Sequence, residues 1–206
     1  VEPLFAPPKI ALQLPRTKLE ATLQRLRMFV LRAQVRLEVA DDLVVLGLAG
    51  ACADALLATD FDALPALEND VARRGTLTAI RMAGATPRFQ VVGPTKTVAD
   101  LWDRLSPKAM VVSPDYWRLL DIRAGIPSVY PETTDAFVPQ MVNLQLIDGV
   151  SFTKGCYAGQ EIVARMQYLG KLKRRMYRAE VTADTAPRPG DELHSATSSS
   201  EQAAGR

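Results

Sequence analysis

The sequence predicts an α+β fold, and three observations carry that reading. Apolar residues recur at helical spacing in some stretches and alternate with polar ones in others. The two kinds of stretch mingle without the regular strand-helix-strand alternation of a parallel sheet, and glycines and prolines punctuate them. Residues 9–14 read as a short strand, after which Pro15 and Thr17 offer a helix start. Leu19, Leu23, Leu26 and Val30 then line one face of an amphipathic helix. Val35, Leu37 and Val39 alternate with Gln34, Arg36 and Glu38, which predicts a half-buried strand over 35–39. Asp41-Asp42 turns that strand into a second one over 43–48. Gly50 opens a short helix through 57, and a loop rich in Asp, Ala and Pro covers 59–70. Strands follow at 76–82 and 88–92, joined by Gly84-Ala85-Thr86-Pro87, and helices at 97–105, 114–124 and 161–168. Beyond Gly170 the pattern changes: 175–182 alternates like a strand and Pro187-Arg188-Pro189-Gly190 is a turn, so a domain boundary is expected near 170.

Composition bounds the function. A chain of 206 residues with 48% hydrophobic and 23% charged residues can bury a sizeable core. It has no apolar run near the roughly 20 residues that span a bilayer, and no membrane partner is expected. Two cysteines, Cys52 and Cys156, make no disulfide framework, which points to a reducing cytoplasm. The formal charge of +2 is too small for a nucleic-acid argument over the whole chain, so a direct nucleic-acid partner is not expected. His194 is the single histidine, which disfavours histidine metal clusters, Ser-His-Asp triads and Cys-His pairs, and no metal site is predicted. Gly93-Pro94-Thr95-Lys96-Thr97 lacks the first glycine and the Gly-Lys pair of a phosphate loop. Cys52 sits among alanines and leucines and reads as a core residue. Trp102 and Trp117 fall within helical apolar patterns and read the same way.

Chemistry concentrates in Ser151-Phe152-Thr153-Lys154-Gly155-Cys156-Tyr157-Ala158-Gly159-Gln160-Glu161, a cysteine set between two glycines. Gly155 and Gly159 permit close backbone approach or positive φ, and the helical pattern beginning at Glu161 puts Cys156 at or near a helix start. A helix N-terminus and a neighbouring Lys154 both favour a thiolate, the nucleophilic and ligating form of the side chain. A buried cysteine acting as a small hydrophobe is the plain alternative.

Lys154 to Glu161, followed by Ile162-Val163-Ala164-Arg165 and Tyr168-Leu169-Gly170-Lys171-Leu172-Lys173-Arg174-Arg175, resembles the signature of the YgfZ family. These are folate-binding proteins related to the T-protein (aminomethyltransferase) of the glycine cleavage system. Ala124-Gly125-Ile126-Pro127, Phe137-Val138-Pro139-Gln140-Met141-Val142-Asn143-Leu144 and Arg25-Leu26-Arg27-Met28-Phe29-Val30-Leu31-Arg32-Ala33 match it in the same order. The resemblance implies ferredoxin-like βαββαβ halves of a T-protein-like folate-binding domain around a central opening that takes the pterin. It places that domain at 1–170, its N-terminal part preceding Val1, and the opening strands of a small, truncated C-terminal β-barrel at 171–206.

The resemblance also implies a tetrahydrofolate-binding protein that assists assembly or repair of iron-sulfur clusters in enzymes, including tRNA-modifying ones. Its partners would be folate and iron-sulfur client proteins or the assembly machinery. Cys156 would be the reactive group, by nucleophilic attack, redox change or transient cluster ligation. Lys154, Gly155, Tyr157, Gly159, Gln160, Glu161 and Arg165 would line the cofactor. Lys171, Lys173, Arg174, Arg175 and Arg178 form the one concentrated basic run. Its plain reading is a solvated, protected strand edge; of two functional readings, the glutamate tail of a polyglutamylated folate or RNA phosphates, its closeness to Cys156 favours the tail. The alternative is a folate-dependent aminomethyltransferase or other one-carbon transferase. Such relatives usually carry a glutamate where Arg123 precedes Ala124-Gly125, and they generally lack the cysteine. Whether the chain is itself an enzyme is open at this point.

Overall fold

The computed structural model describes residues 10–194, together with 203 and 205. The chain divides into two compact units, residues 1–124 and 125–206. The first holds one four-stranded antiparallel sheet, built from β1 (Leu43–Ala49), β2 (Val71–Arg74), β3 (Leu77–Arg81) and β4 (Arg88–Pro94) in the order β1-β4-β3-β2. Its helices are α1 (Leu19–Arg27), α2 (Ala53–Leu57), α3 (Thr95–Leu105) and α4 (Pro114–Ala124). The coarse expectation of mixed helix and antiparallel sheet therefore holds.

Strand pleating sorts the side chains of this unit onto two faces. Leu48 on β1, Leu77 and Ala79 on β3, and Phe89 and Val91 on β4 turn toward one face. There they meet Ala53 and Leu57 of α2, Phe61, and Val98, Leu101 and Leu105 of α3, which recur at three- and four-residue spacing. Gly47 and Arg88 point to the other face, where α4 packs. The ring of Trp117 lies so close that a Cβ at Gly47 would stand 2.8 Å from it. Arg88 is fully buried there. Its Nε donates to the Ala83 carbonyl at 2.9 Å, Nη1 donates to Asp121 Oδ1 at 2.8 Å, and the guanidinium sits 5.0 Å from the centre of the Trp117 ring.

Several sequence expectations fail here, each for a local reason. Residues 35–39 have the alternation of a strand but form none, because no described segment offers them a ladder, and Val35 and Val39 stay exposed. Residues 10–14 likewise form no element. β2 lies where no strand was expected, since Val-Ala-Arg-Arg carries little apolar alternation. It forms because Gly75, at φ +57, turns the chain back from β3. Cys52 is exposed rather than in the core, because α2 is only five residues long and buries just Ala53 and Leu57, four apart on one face. Trp102 is exposed too, one position off the buried stripe of α3.

In the second unit, α5 (Gln160–Tyr168) is the one α-helix among the described residues. The expected strand at 175–182 is not formed, because no described segment pairs with it. Further along, an isolated bridge joins Leu193 to Gly205. The Ser-rich stretch 195–200 lies outside the described residues.

Asp121→Ala leaves the buried Arg88 cation without its carboxylate, so it should destabilise the first unit by about 3 kcal/mol. Urea unfolding followed by tryptophan fluorescence checks this, because both tryptophans belong to that unit. An unchanged midpoint would show that the pair carries no net weight.

Candidate functional site

The cysteine segment is shaped by two consecutive local turns. Ser151 Oγ accepts from the backbone N–H groups of Thr153 (3.4 Å) and Lys154 (3.2 Å), curling residues 151–154. Tyr157 to Gln160 then forms a tight turn in which the Gln160 N–H donates to the Tyr157 carbonyl at 3.1 Å. Gly159 occupies its third position at φ +82, ψ +3, the left-handed conformation that a type II turn demands there. Gln160 Oε1 accepts the Tyr157 N–H at 3.4 Å, and Gly159 serves as the N-cap of α5.

Cys156 lies between these turns, exposed to solvent. It precedes the first helical residue by four positions, so it stands outside the first turn of α5 rather than at its N-terminus. Gly155 has no positive φ, and a Cβ there would meet nothing within 4 Å. The space around that position is therefore open, and neither backbone conformation nor packing demands a glycine there. The Lys154 ammonium sits 4.5 Å from the centre of the Tyr157 ring, a cation–π contact. Glu161 occupies the first turn of α5, where its charge complements the helix dipole. Lys154, Tyr157, Gly159 and Gln160 thus come together. Arg165 on α5 and Lys171, Lys173 and Arg174 beyond it are all exposed, and no ion pair among the described residues ties them to the loop.

The support for this loop comes from residues that sequence reasoning matched to a family without giving them a role. Pro139–Val142 and Leu144–Leu146 are short 3₁₀ turns hinged at Asn143, which takes φ +59, a region asparagine tolerates. Gln140, 3% exposed, donates Nε2 to the Val163 carbonyl in α5 at 2.7 Å. Asn143 donates Nδ2 to the Met176 carbonyl at 2.9 Å, and the Met176 N–H donates to the Met141 carbonyl at 2.7 Å. One short segment therefore holds both α5 and the start of the expected barrel. The only sequence signal for it is the Pro139 to Asn143 spacing. On the outer side, Phe152 meets Tyr168 edge to face, with centroids 6.3 Å apart.

Among the described residues no group of three or more His, Cys, Asp or Glu side chains is placed to hold a metal ion. No helix among them is long and apolar enough to cross a membrane.

Gln140→Ala removes the buried donor to α5. Hydrogen exchange across residues 160–168 should then accelerate by at least about tenfold, while the sheet of the first unit keeps its protection. Equal protection of α5 in both proteins would mean that the bond does not hold the helix.

No family model matches the chain. Curated proteins do. The tRNA-modifying protein YgfZ of Colwellia psychrerythraea is 37% identical over 163 residues, covering 79% of this chain and 50% of that protein. The proteins of the same name from Yersinia enterocolitica and Yersinia pestis are each 35% identical over 178 residues, 86% of this chain and 54% of theirs. The chain spans about half the length of the curated relatives it matches. Matches of that extent take in the cysteine loop wherever they begin, and on the strength of them the chain belongs to the YgfZ family.

Proposed function

We propose that this chain is the folate-binding part of a protein that supports tRNA modification, and that it does so by assisting assembly or repair of iron-sulfur clusters in the modifying enzymes. The observation that carries this reading is the presentation of Cys156. It is exposed between two fixed turns, with an open glycine position beside it, in a chain similar to proteins named for tRNA modification. Exposure alone does not single it out, since Cys52 is exposed too; the ordered turns on either side of Cys156 do.

The side chains of the loop fit a reduced folate by their chemistry. Tyr157 offers an aromatic face, Glu161 and Gln160 offer acceptors for the N–H groups of a pterin, and Lys154 offers a cation for a tail carboxylate. Bound folate would supply one-carbon or reducing chemistry, while the chain's own part is to hold the ring and present the thiol. An iron-sulfur cluster would be cargo, held through Cys156 together with donors from elsewhere. The transferase reading is weaker, because exposed Arg123 is a cation where such relatives hold the pterin through a carboxylate. The ferredoxin-like halves and the barrel remain part of the same family reading.

Calorimetric titration with tetrahydrofolate should show binding that Tyr157→Ala or Lys154→Ala weakens. Cys156→Ser should fold normally and keep folate affinity within about tenfold, roughly 1.4 kcal/mol. It should nevertheless fail to restore iron-sulfur enzyme activity in cells lacking the native protein. Cys52→Ser, at an exposed position, is the control: its stability should stay within about 0.5 kcal/mol and it should rescue in full. Full rescue by Cys156→Ser would end the thiol hypothesis, and absence of folate binding would end the cofactor half of the reading.

A further inference from the structure

Between Ile162 and Arg178 the chain carries six cations and no carboxylate: Arg165, Lys171, Lys173, Arg174, Arg175 and Arg178. All six are exposed, and none forms an ion pair with a described residue. Arg174 also donates to the Ala203 carbonyl at 3.1 Å. Among the described residues, 171–178 join no ladder. Two aromatic rings are interleaved with the cations: Tyr168 is 70% exposed and Tyr177 is 82% exposed. The segment is nevertheless anchored. Met176 is held on both sides of its backbone, by Met141 and Asn143, and Leu172 and Met176 are half-buried. Tyr177 and Arg175 are thus displayed from a fixed point, which lowers the ordering cost of binding.

Against the expectation drawn from the charge of the whole chain, we propose that this local run is a docking surface for single-stranded RNA, such as the unpaired loop of a stem-loop. Exposed cations matched to phosphates give affinity, and exposed tyrosines give the bases something to stack on. The aromatic component separates this partner from a polyglutamate tail. Glutamate carboxylates would neutralise cations, but they have no ring to lay against Tyr168 or Tyr177. The inference stands apart from the folate reading, because an RNA titration needs no folate and either can fail alone.

The test is fluorescence anisotropy of the intact chain with a labelled RNA stem-loop, across a range of salt. The logarithm of affinity should fall against the logarithm of salt with a slope of about −4 if all six cations meet phosphates. Replacing Lys173, Arg174 and Arg175 together by alanine should reduce the magnitude of that slope by about 2. Tyr177→Ala should weaken binding by about tenfold or more, while Tyr177→Phe keeps it, because the ring and not the hydroxyl does the stacking. A blunt RNA duplex of equal length should bind more weakly and ignore Tyr177→Ala. These positions are exposed, so circular dichroism should show every variant folded. Three results would each overturn the proposal: affinity indifferent to Tyr177→Ala, a duplex bound as tightly as the loop, or RNA displaced at equal charge by polyglutamate or a polyglutamylated folate.

Discussion

The arrangement around the cysteine depends on two side-chain amides, buried Gln140 and half-buried Asn143. Gln140 and Asn143 each spend their N–H on a backbone carbonyl from a distant part of the chain, and those carbonyl partners fix which way each amide faces. Their own oxygens, Gln140 Oε1 and Asn143 Oδ1, are left buried without a protein donor. Building a turn this way requires both amides to be oriented at once. What it secures is position. α5 and residue 176 are referred to the same eight-residue segment, and the cysteine loop enters α5 through a turn only a glycine fits comfortably. The loop can therefore be open at Cys156 without being undefined at its ends.

The sheet unit solves a related problem with a charge. Arg88 lies on the face of β4 opposite the apolar core, and its cation is neutralised by Asp121, capped by the Ala83 carbonyl and laid over Trp117. A leucine of similar volume would pack there without desolvating anything. The arginine instead couples the β3–β4 turn to α4 through groups with fixed direction. The close fit of Trp117 on Gly47 then sets how near the helix can come.

Legibility followed the range of the interactions involved. The helix at 114–124 was readable to the residue because Pro114 sits at its first turn and Gly125, at φ +71, follows its end. Gly159 and Gly155 carried the same expectation of close approach or positive φ, and only Gly159 takes the positive φ, because a glycine permits that conformation without requiring it. Residues 35–39 show the opposite case. Their alternation is real, yet a strand is defined by the neighbour it bonds to, and that neighbour is not written in the strand. The role of Gln140 was invisible because its partner lies 23 residues away in sequence and is a backbone carbonyl, which no residue type marks. Cys52 was misplaced because helix length, and not the apolar character of its surroundings, decides which side chains a five-residue helix can cover.

The strand order carries a last consequence, for how the chain behaves in bulk. Among the described residues neither outer strand, β1 nor β2, has a ladder partner on its outer edge, but the two are not equally guarded. β2 ends in Arg73-Arg74, whereas β1, Leu-Val-Val-Leu-Gly-Leu-Ala, has no charge at all and leaves Val45 46% exposed. Arginines on an edge strand disfavour edge-to-edge pairing, and β1 carries none. Two copies meeting along β1 would continue the sheet without either one unfolding. Loss of monomer at that strand is thus a second-order process, set by concentration and not by the stability of the fold.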